Sequence, residues 1–473
     1  MTFLRLCKYI VLGLLGLIFL VVGGYLAINA SDDTLSPDAQ KLLAAPPTRL
    51  ADADNAFFLH LGLNAPTDAD AYEAGRKLQA VYDRLYAEDP LRLTFVSPDI
   101  PPGSTASVQA PELAKLRCAK SGSNCVAHYL DNAALITQQT QAQATLLGRY
   151  AQIMRLPGYE EKAIPAIAAP VPPYSLLSQA AELQLAGAVL AIDQGRTDEG
   201  LASIGNNVAF HRRLLADSRT LISRMVAVAA LRLEYQVLSE LIERQPGLLA
   251  SHGPVFSALL RPLDERAGDL RPAFASEAHQ AAVMMQSMPG MLRRDAEAGP
   301  YAAGNAFNKW AVRYYFLPNA STNLLPLYWN SVAELGHGSA ATYEERKRAF
   351  ELSPASRLEK TYATSWSSVR NPVGKILFRV SLPDMSAYIE RVHDLDGYLR
   401  LVRLQAGLRQ DQVGRDAIAA YVAKAPPEMR NPYTGAPMEW DPAGATLSFT
   451  GKQASNANPA SERKVHRIKL AAP

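Results

Sequence analysis

Residues 9–28 read YIVLGLLGLIFLVVGGYLAI, without one charged side chain. As a helix this run is long enough to cross the roughly 30 Å of hydrocarbon in a bilayer. Arg5 and Lys8 precede it, and Asp32, Asp33 and Asp38 follow it. Basic before and acidic after predicts an N-terminus in the cytoplasm and a body outside it. A cleavable signal peptide is the alternative. The length of the run favours a signal anchor, and so does Ile28 before Asn29-Ala30, which spoils a small-x-small cleavage site. No cysteine follows at a lipoprotein position. The expectation is a single-pass protein of a bacterial inner membrane, in contact with the bilayer through residues 9–28, with its body in the periplasm.

The remainder has an ordinary globular composition. The 473 residues leave room for two or three domains. The formal charge of +3 is too small for a nucleic-acid binder, and no dense basic run appears before the tail. The 32 prolines argue for many element boundaries and against one continuous bundle. Of three cysteines, Cys7 lies at the membrane edge. Cys118 and Cys125 bracket CAKSGSNC, a short polar loop that closes easily in an oxidising compartment, so a disulfide is expected. A metal or redox pair would favour CxxC spacing, which is absent here.

Residues 31–50 read as a stalk off the membrane, and 51–170 as a helical subdomain with the disulfide loop. Within the latter, Tyr72, Leu78, Tyr82 and Leu85 follow a helical period, and one long helix is expected from Val126 to Leu156. Residues 171–425 read as a body of antiparallel helical hairpins. Leu176, Ala180, Leu183, Gly187 and Leu190 mark one stripe, Leu201, Ile204, Val208 and Leu215 a second, and Leu221, Met225, Val228, Tyr235, Leu238 and Ile242 a third. Each stripe must bury against a neighbour, and the short breaks DQGRTDEG and ADSRT make the neighbours antiparallel. No 34-residue period repeats, so a tetratricopeptide array is not implied. A strand is expected at Lys375–Val380. A helix starting from an Asp384 cap follows, with Ile389, Val392, Leu395, Leu399 and Val402 on one face.

Residues 426–451 contain NPYTGAPMEWDPAGATLSF. Pro432 and Pro437 forbid a central strand, while MEW and TLSF flank the turn DPAG, in which Gly tolerates positive φ. The expectation is a β-hairpin with Tyr433, Met438, Trp440, Leu447 and Phe449 divided between its faces, docked on the preceding helix as a structural clasp. Glu439 and Asp441 have no evident partner. Residues 452–473 read as a disordered tail.

The same stretch resembles the DP(F/Y)TGxP ending of bacterial proteins that carry an N-terminal membrane segment and a helical body, with NP here in place of DP. NAFFLHLGLNAP, the paired Cys118 and Cys125, GRTDEGLASI followed by SRTLISRMVAVAAL, and LPNASTNLL fit the same group, across most of residues 51–451. The resemblance implies a location and a helical architecture. It implies no reaction.

Candidate chemistries are sparse. Glu390 and His393 in ERVH form half of a carboxylate-bridged di-metal pattern, whose other half is missing. Glu277 and His279 are wrongly spaced for one helical face, and His393-Asp394-Leu395-Asp396 lacks the later ligands of a calcium loop. Met284, Met288 and Met291, with Met285 beside them, could hold Cu(I), but such stripes more often pack cores. There is no GxSxG, and NPVGK lacks the glycine spacing of a phosphate loop. No catalytic residue, metal or cofactor is therefore assigned. The aromatic segment Tyr301–Trp329 reads first as a buried wall. Its Trp310, Tyr314, Tyr315, Tyr328 and Trp329 are also a candidate partner surface or bilayer-facing belt. The working function is a membrane-anchored scaffold or binding protein with an envelope protein partner. The rivals are an envelope enzyme with a site assembled from distant residues, and a toxin-immunity-type inhibitor.

Overall fold

In the computed structural model, the described residues are 3–89, 110–118, 124–162, 164–166, 169–298, 314–356, 369–381, 384–454 and 463–470. The apolar run lies in α1 (Phe3–Ile28), most of whose apolar window is exposed. By length and composition this helix is apolar enough to cross a membrane. Next come α2 (Pro37–Leu43), α3 (Ala56–Leu61) and α4 (Ala71–Glu88). Asn55 caps α3 through the Phe57 amide at 3.1 Å, and Asp70 caps α4 through the Glu73 amide at 3.0 Å. These two helices cross backbone to backbone: a Cβ on Gly75 would stand 1.9 Å from the Phe58 carbonyl oxygen.

The long helix expected over 126–156 is three helices, α5 (Cys125–Asp131), α6 (Ala133–Ala142) and α7 (Ala144–Arg155). Asn132 leaves helical dihedrals, and its side-chain amide donates to the His128 carbonyl at 2.8 Å. That local bond competes with helix propagation. The body proper is α8 (Tyr174–Asp193), α9 (Thr197–Asp217) and α10 (Leu221–Arg244). Gly195, at φ +80°, closes α8 with amide bonds from Gly195 to Ile192 (3.0 Å) and Arg196 to Ala191 (2.8 Å). Although α8 is long and apolar enough to cross a membrane, most of it is buried in the protein, so it is a core helix.

Prolines punctuate the second half of the body. Helix α11 (Gly247–Leu259) contains Pro254 and bends at His252, and α12 (Glu265–Gly268) is one turn. Helix α13 (Arg271–Ala298) contains Pro289, and α14 (Pro318–Thr322), α15 (Leu325–Leu335) and α16 (Tyr343–Leu352) come next. The strand expected at 375–380 is instead helix α17 (Pro372–Ser381). Pro372 presets the first helical turn, and burial recurs at Gly374 and Phe378, four apart, not two. Helix α18 (Ser386–Gln410) is buried on nearly all sides, and α19 (Ile418–Lys424) precedes the sheet.

That sheet has three antiparallel strands, β1 (Glu439–Asp441), β2 (Thr446–Ala454) and β3 (Arg463–Lys469), in the order β1-β2-β3. The expected hairpin is its first two strands. Part of the expected disordered tail is its third, paired with Phe449 opposite His466 and Leu447 opposite Ile468. In β3 the buried His466 and Ile468 alternate with exposed Arg467 and Lys469, as a strand with one solvated face requires. The residue with positive φ in the DPAG turn is the following Ala445 (φ 48°), not Gly444.

Helix α9 packs on α8 and α10, α10 on α18, and α18 on β2 and β3. One continuous hydrophobic core runs from Ala56 to Leu470. The segment expected as a stalk, 31–50, is laid along this body. Asp32 accepts the amides of Asn319 (2.8 Å) and Ala320 (3.0 Å) in α14. Asn323 donates to the Thr34 carbonyl at 2.9 Å and accepts the Ser36 amide at 2.8 Å. Helix α2 packs on α13, where His279 meets the Leu42 carbonyl at 2.8 Å. Glu160 accepts the amides of Arg49 (3.1 Å) and Leu50 (2.7 Å).

Candidate functional site

A cleft of about 460 Å³ lies between α6 and the α8–α9 hairpin. Its floor is apolar, with Ile136 from α6 and Leu183 and Ala188 from α8 all buried. Two glycines shape it in opposite ways. A Cβ on Gly200 would come within 2.6 Å of the Ala188 carbonyl oxygen, so α9 touches α8 through backbone. A Cβ on Gly187 would meet nothing within 4 Å, so α8 opens there into space. Around the rim, Thr137 and Thr140 donate back to the Ala133 and Ile136 carbonyls at 2.9 and 2.8 Å. Arg196 and Glu199 pair with each other at 2.6 Å. The lining thus offers apolar surface, amides and hydroxyls, with its two charges mutually neutralised. It suits a ligand that is partly apolar and makes neutral hydrogen bonds.

A second, more open cleft of about 600 Å³ is lined by Asp52, Tyr72, Arg76, Gln152 and Arg155. Three of these polar groups are engaged: Lys162 pairs with Asp52, Tyr72 donates to the Asp52 carbonyl at 2.6 Å, and Arg76 lies over the Tyr72 ring.

A dense meeting of titratable groups is closed from solvent, between α18 and the sheet. Asp394 is 1% exposed. Its carboxylate accepts the Tyr433 hydroxyl at 2.5 Å, the Lys452 amide at 3.0 Å, the Gln453 amide at 3.3 Å and His466 Nε2 at 3.0 Å. Burial pulls its pKa up, but these donors outweigh burial and hold it below the usual carboxylate range. Burial lowers the His466 pKa, so near neutral pH an ionised Asp394 faces a neutral imidazole that donates from Nε2. The imidazole stacks on Phe449 with ring centroids 4.9 Å apart. Beside it, Glu390 accepts Tyr343 and Lys347, both at 3.0 Å. A carboxylate with four donors in a closed interior ties strands to a helix, and the clasp reading of residues 430–451 rests on this geometry.

The residues singled out from sequence divide accordingly. Cys118 and Cys125 form a disulfide, with Cα atoms 5.5 Å apart. Glu182 of α8 accepts the Cys118 amide at 2.6 Å, and Glu240 of α10 accepts the Val126 amide at 2.8 Å, so the loop is anchored to two body helices. Tyr328 and Trp329 are core residues, not partner surface, because α15 turns both inward; Tyr328 packs on Trp329, Phe350 and Phe378. Tyr315 is exposed and meets Tyr25 of α1 at 5.6 Å, and the Tyr25 hydroxyl reaches the Tyr314 carbonyl. Trp310 and Met291's side chain lie outside the described residues. Met285 is buried and Met288 packs against the core. Glu390 and His393, read as half of a di-metal pattern, are buried: Tyr343 of α16 and Tyr433 of the loop before β1 pack on the His393 ring. Among the described residues, no three His, Cys, Asp or Glu side chains are grouped so as to hold a metal ion. Glu439 accepts the Ser448 hydroxyl at 3.3 Å, and Asp441 the Ala443 amide at 3.0 Å, both as turn and strand contacts.

Sequence reasoning missed the Asp394–His466 pair because one partner sat in the supposed tail. The alternation of His466, Ile468 and Leu470 was the available signal. No family model, curated protein or solved structure matches the chain.

Proposed function

We propose that this chain is a membrane-anchored scaffold or binding protein of the bacterial cell envelope. Helix α1 is its single span, its body is periplasmic, and the cleft beside the α8–α9 hairpin receives an envelope partner. The observation that carries the reading is the chemistry of that cleft: an apolar floor, a rim of amides and hydroxyls, and no carboxylate or imidazole left unpaired among its lining residues. The convergent titratable groups that a hydrolytic site needs are packed in the closed interior around Asp394.

A photo-crosslinking residue at Thr140, on the full-length chain in its own cells, tests this. A discrete adduct is expected, lost in Gly187→Trp, which fills the cleft from a position with free space. The unfolding temperature of Gly187→Trp should match the parent. An adduct that persists in that variant, or no adduct at all, removes the cleft from the reading. A reporter fused at the C-terminus tests the topology: activity confined to the cytosol would place the body on the wrong side.

A further inference from the structure

We infer that α17 is a second membrane contact, lying on the surface of the bilayer that α1 crosses, with its exposed side chains among anionic lipid headgroups. The inference rests on α1 being a membrane span and adds a lipid-binding element to it.

Three observations converge. The first is position. Helix α17 begins where the body grips the end of α1: the Asn371 amide, one residue before the helix, donates to Asn29 at 2.8 Å, and Arg370 donates to the Ile28 and Ser31 carbonyls. The body also reaches α1 inside its apolar stretch, where Tyr315 packs on Tyr25. Residues that touch Tyr25 stand at the depth where a bilayer meets water, the level that tyrosine favours. The start of α17 is therefore at that level too.

The second is the split character of the helix. Phe378 is fully buried against Tyr328, and Gly374 is pressed on Ser321. Those residues seat one side of α17 on the body. On the other side Ile376 is 59% exposed and Val380 79%, four residues and about one turn apart. Val380 is among the most exposed large apolar residues outside α1. Water gains nothing from such a pair, whereas a bilayer interface buries it.

The third is charge. Arg370, Lys375 and Arg379 are the ionisable groups between residues 369 and 381, and all are basic. Arg379 is exposed beside the apolar pair. Of the acidic groups nearby, Asp33 is already paired with Arg370. An exposed apolar stripe flanked by cations is the composition of a helix that lies in an anionic headgroup layer.

The test uses the full-length chain with Cys7→Ser, so that an introduced thiol is the only free one. Val380→Cys carries an environment-sensitive fluorophore. The protein is reconstituted in vesicles of phosphatidylcholine with or without phosphatidylglycerol, some containing a doxyl quencher high on the acyl chain. Leu15→Cys, labelled in the same way, reports on α1. With α17 in the interface, the Val380 label emits to the blue of the free fluorophore in buffer and is quenched by doxyl lipid, more strongly with phosphatidylglycerol. Lys375→Glu with Arg379→Glu abolishes that gain. A Leu15 label quenched by doxyl lipid beside a Val380 label open to aqueous iodide overturns this inference and leaves the anchor standing. A Val380 label shielded from both quenchers means that protein covers the face, and also overturns it. If neither label meets doxyl lipid, the anchor itself fails.

Discussion

The side chain of Asn29 is bonded to both sides of Asn371's neighbourhood: it accepts the Asn371 amide at 2.8 Å and donates to the Val369 carbonyl at 2.9 Å. Asn29 is the first residue past α1 and is wholly buried. It links the apolar helix to a point some 340 residues away in the chain. Asn29→Ala leaves the Asn371 donor buried without this partner, a loss of about 1–3 kcal/mol. Hydrogen exchange at the Asn371 amide should accelerate accordingly in detergent-solubilised protein. Unchanged exchange would show that the contact does not hold the junction.

The crossing of α3 and α4 depends on the absence of a side chain. Gly75→Ala places a methyl 1.9 Å from the Phe58 carbonyl oxygen, so the helices must separate. Overpacking of this kind costs about 1–3 kcal/mol or more. Gly148 in α7 has nothing within 4 Å of its added Cβ, and Gly148→Ala should stabilise by about 0.5–1 kcal/mol. Denaturant midpoints of the two variants should therefore move in opposite directions.

Acid should weaken the fold in two steps. Burial lowers the pKa of His60 to about 3 and that of His393 to about 4, from 6.5. Between those values and 6.5 the unfolded chain binds protons that the folded chain refuses, so stability is complete above pH 6.5 and declines below it. Asp394 is held below its ordinary value, so its contribution is lost only as pH falls further, through its folded-state pKa. His393→Phe keeps a ring against Tyr343 and Tyr433. Urea midpoints measured across this range should fall less steeply for that variant above pH 4, with the Asp394 step retained.

The disulfide closes a short loop, and the chain-entropy relation assigns it about 2–3 kcal/mol. Cys118→Ser with Cys125→Ser should lower stability by that order. Exchange protection should fall first at the Val126 amide, which Glu240 holds at 2.8 Å. An equal effect of reductant on the parent and the double variant would contradict a bond that persists in the folded protein.

The helical body was legible because its stripes are long. Every core position marked on α9 and α18 is buried, and the turn at Gly195 fell where GRTDEG placed it. What escaped were elements whose local chemistry pointed elsewhere. KILFRV has β-branched and aromatic residues, yet Pro372 and the seat of Phe378 on Tyr328 select a helix. Residues 31–50 look like a linker because Asp, Ser and Pro satisfy their hydrogen bonds with partners far along the chain, which no local pattern reveals. The burial of Glu390, His393 and Asp394 escaped for the same reason. Their cover comes from α16 and from β3, a strand whose charged residues masked its alternation. The cleft beside Gly187 was visible only as a glycine within an apolar stripe.

The fastening of residues 29–50 to the body leaves no slack segment between α1 and the fold. With α1 in a bilayer, the molecule has no swivel: its tilt and height above the membrane are fixed by Asp32, Asn29 and Glu160. A partner would then be met by diffusion in the plane of the membrane, at one constant altitude, and inserting extra residues after Ser36 would not extend the reach while Asp32 still grips α14.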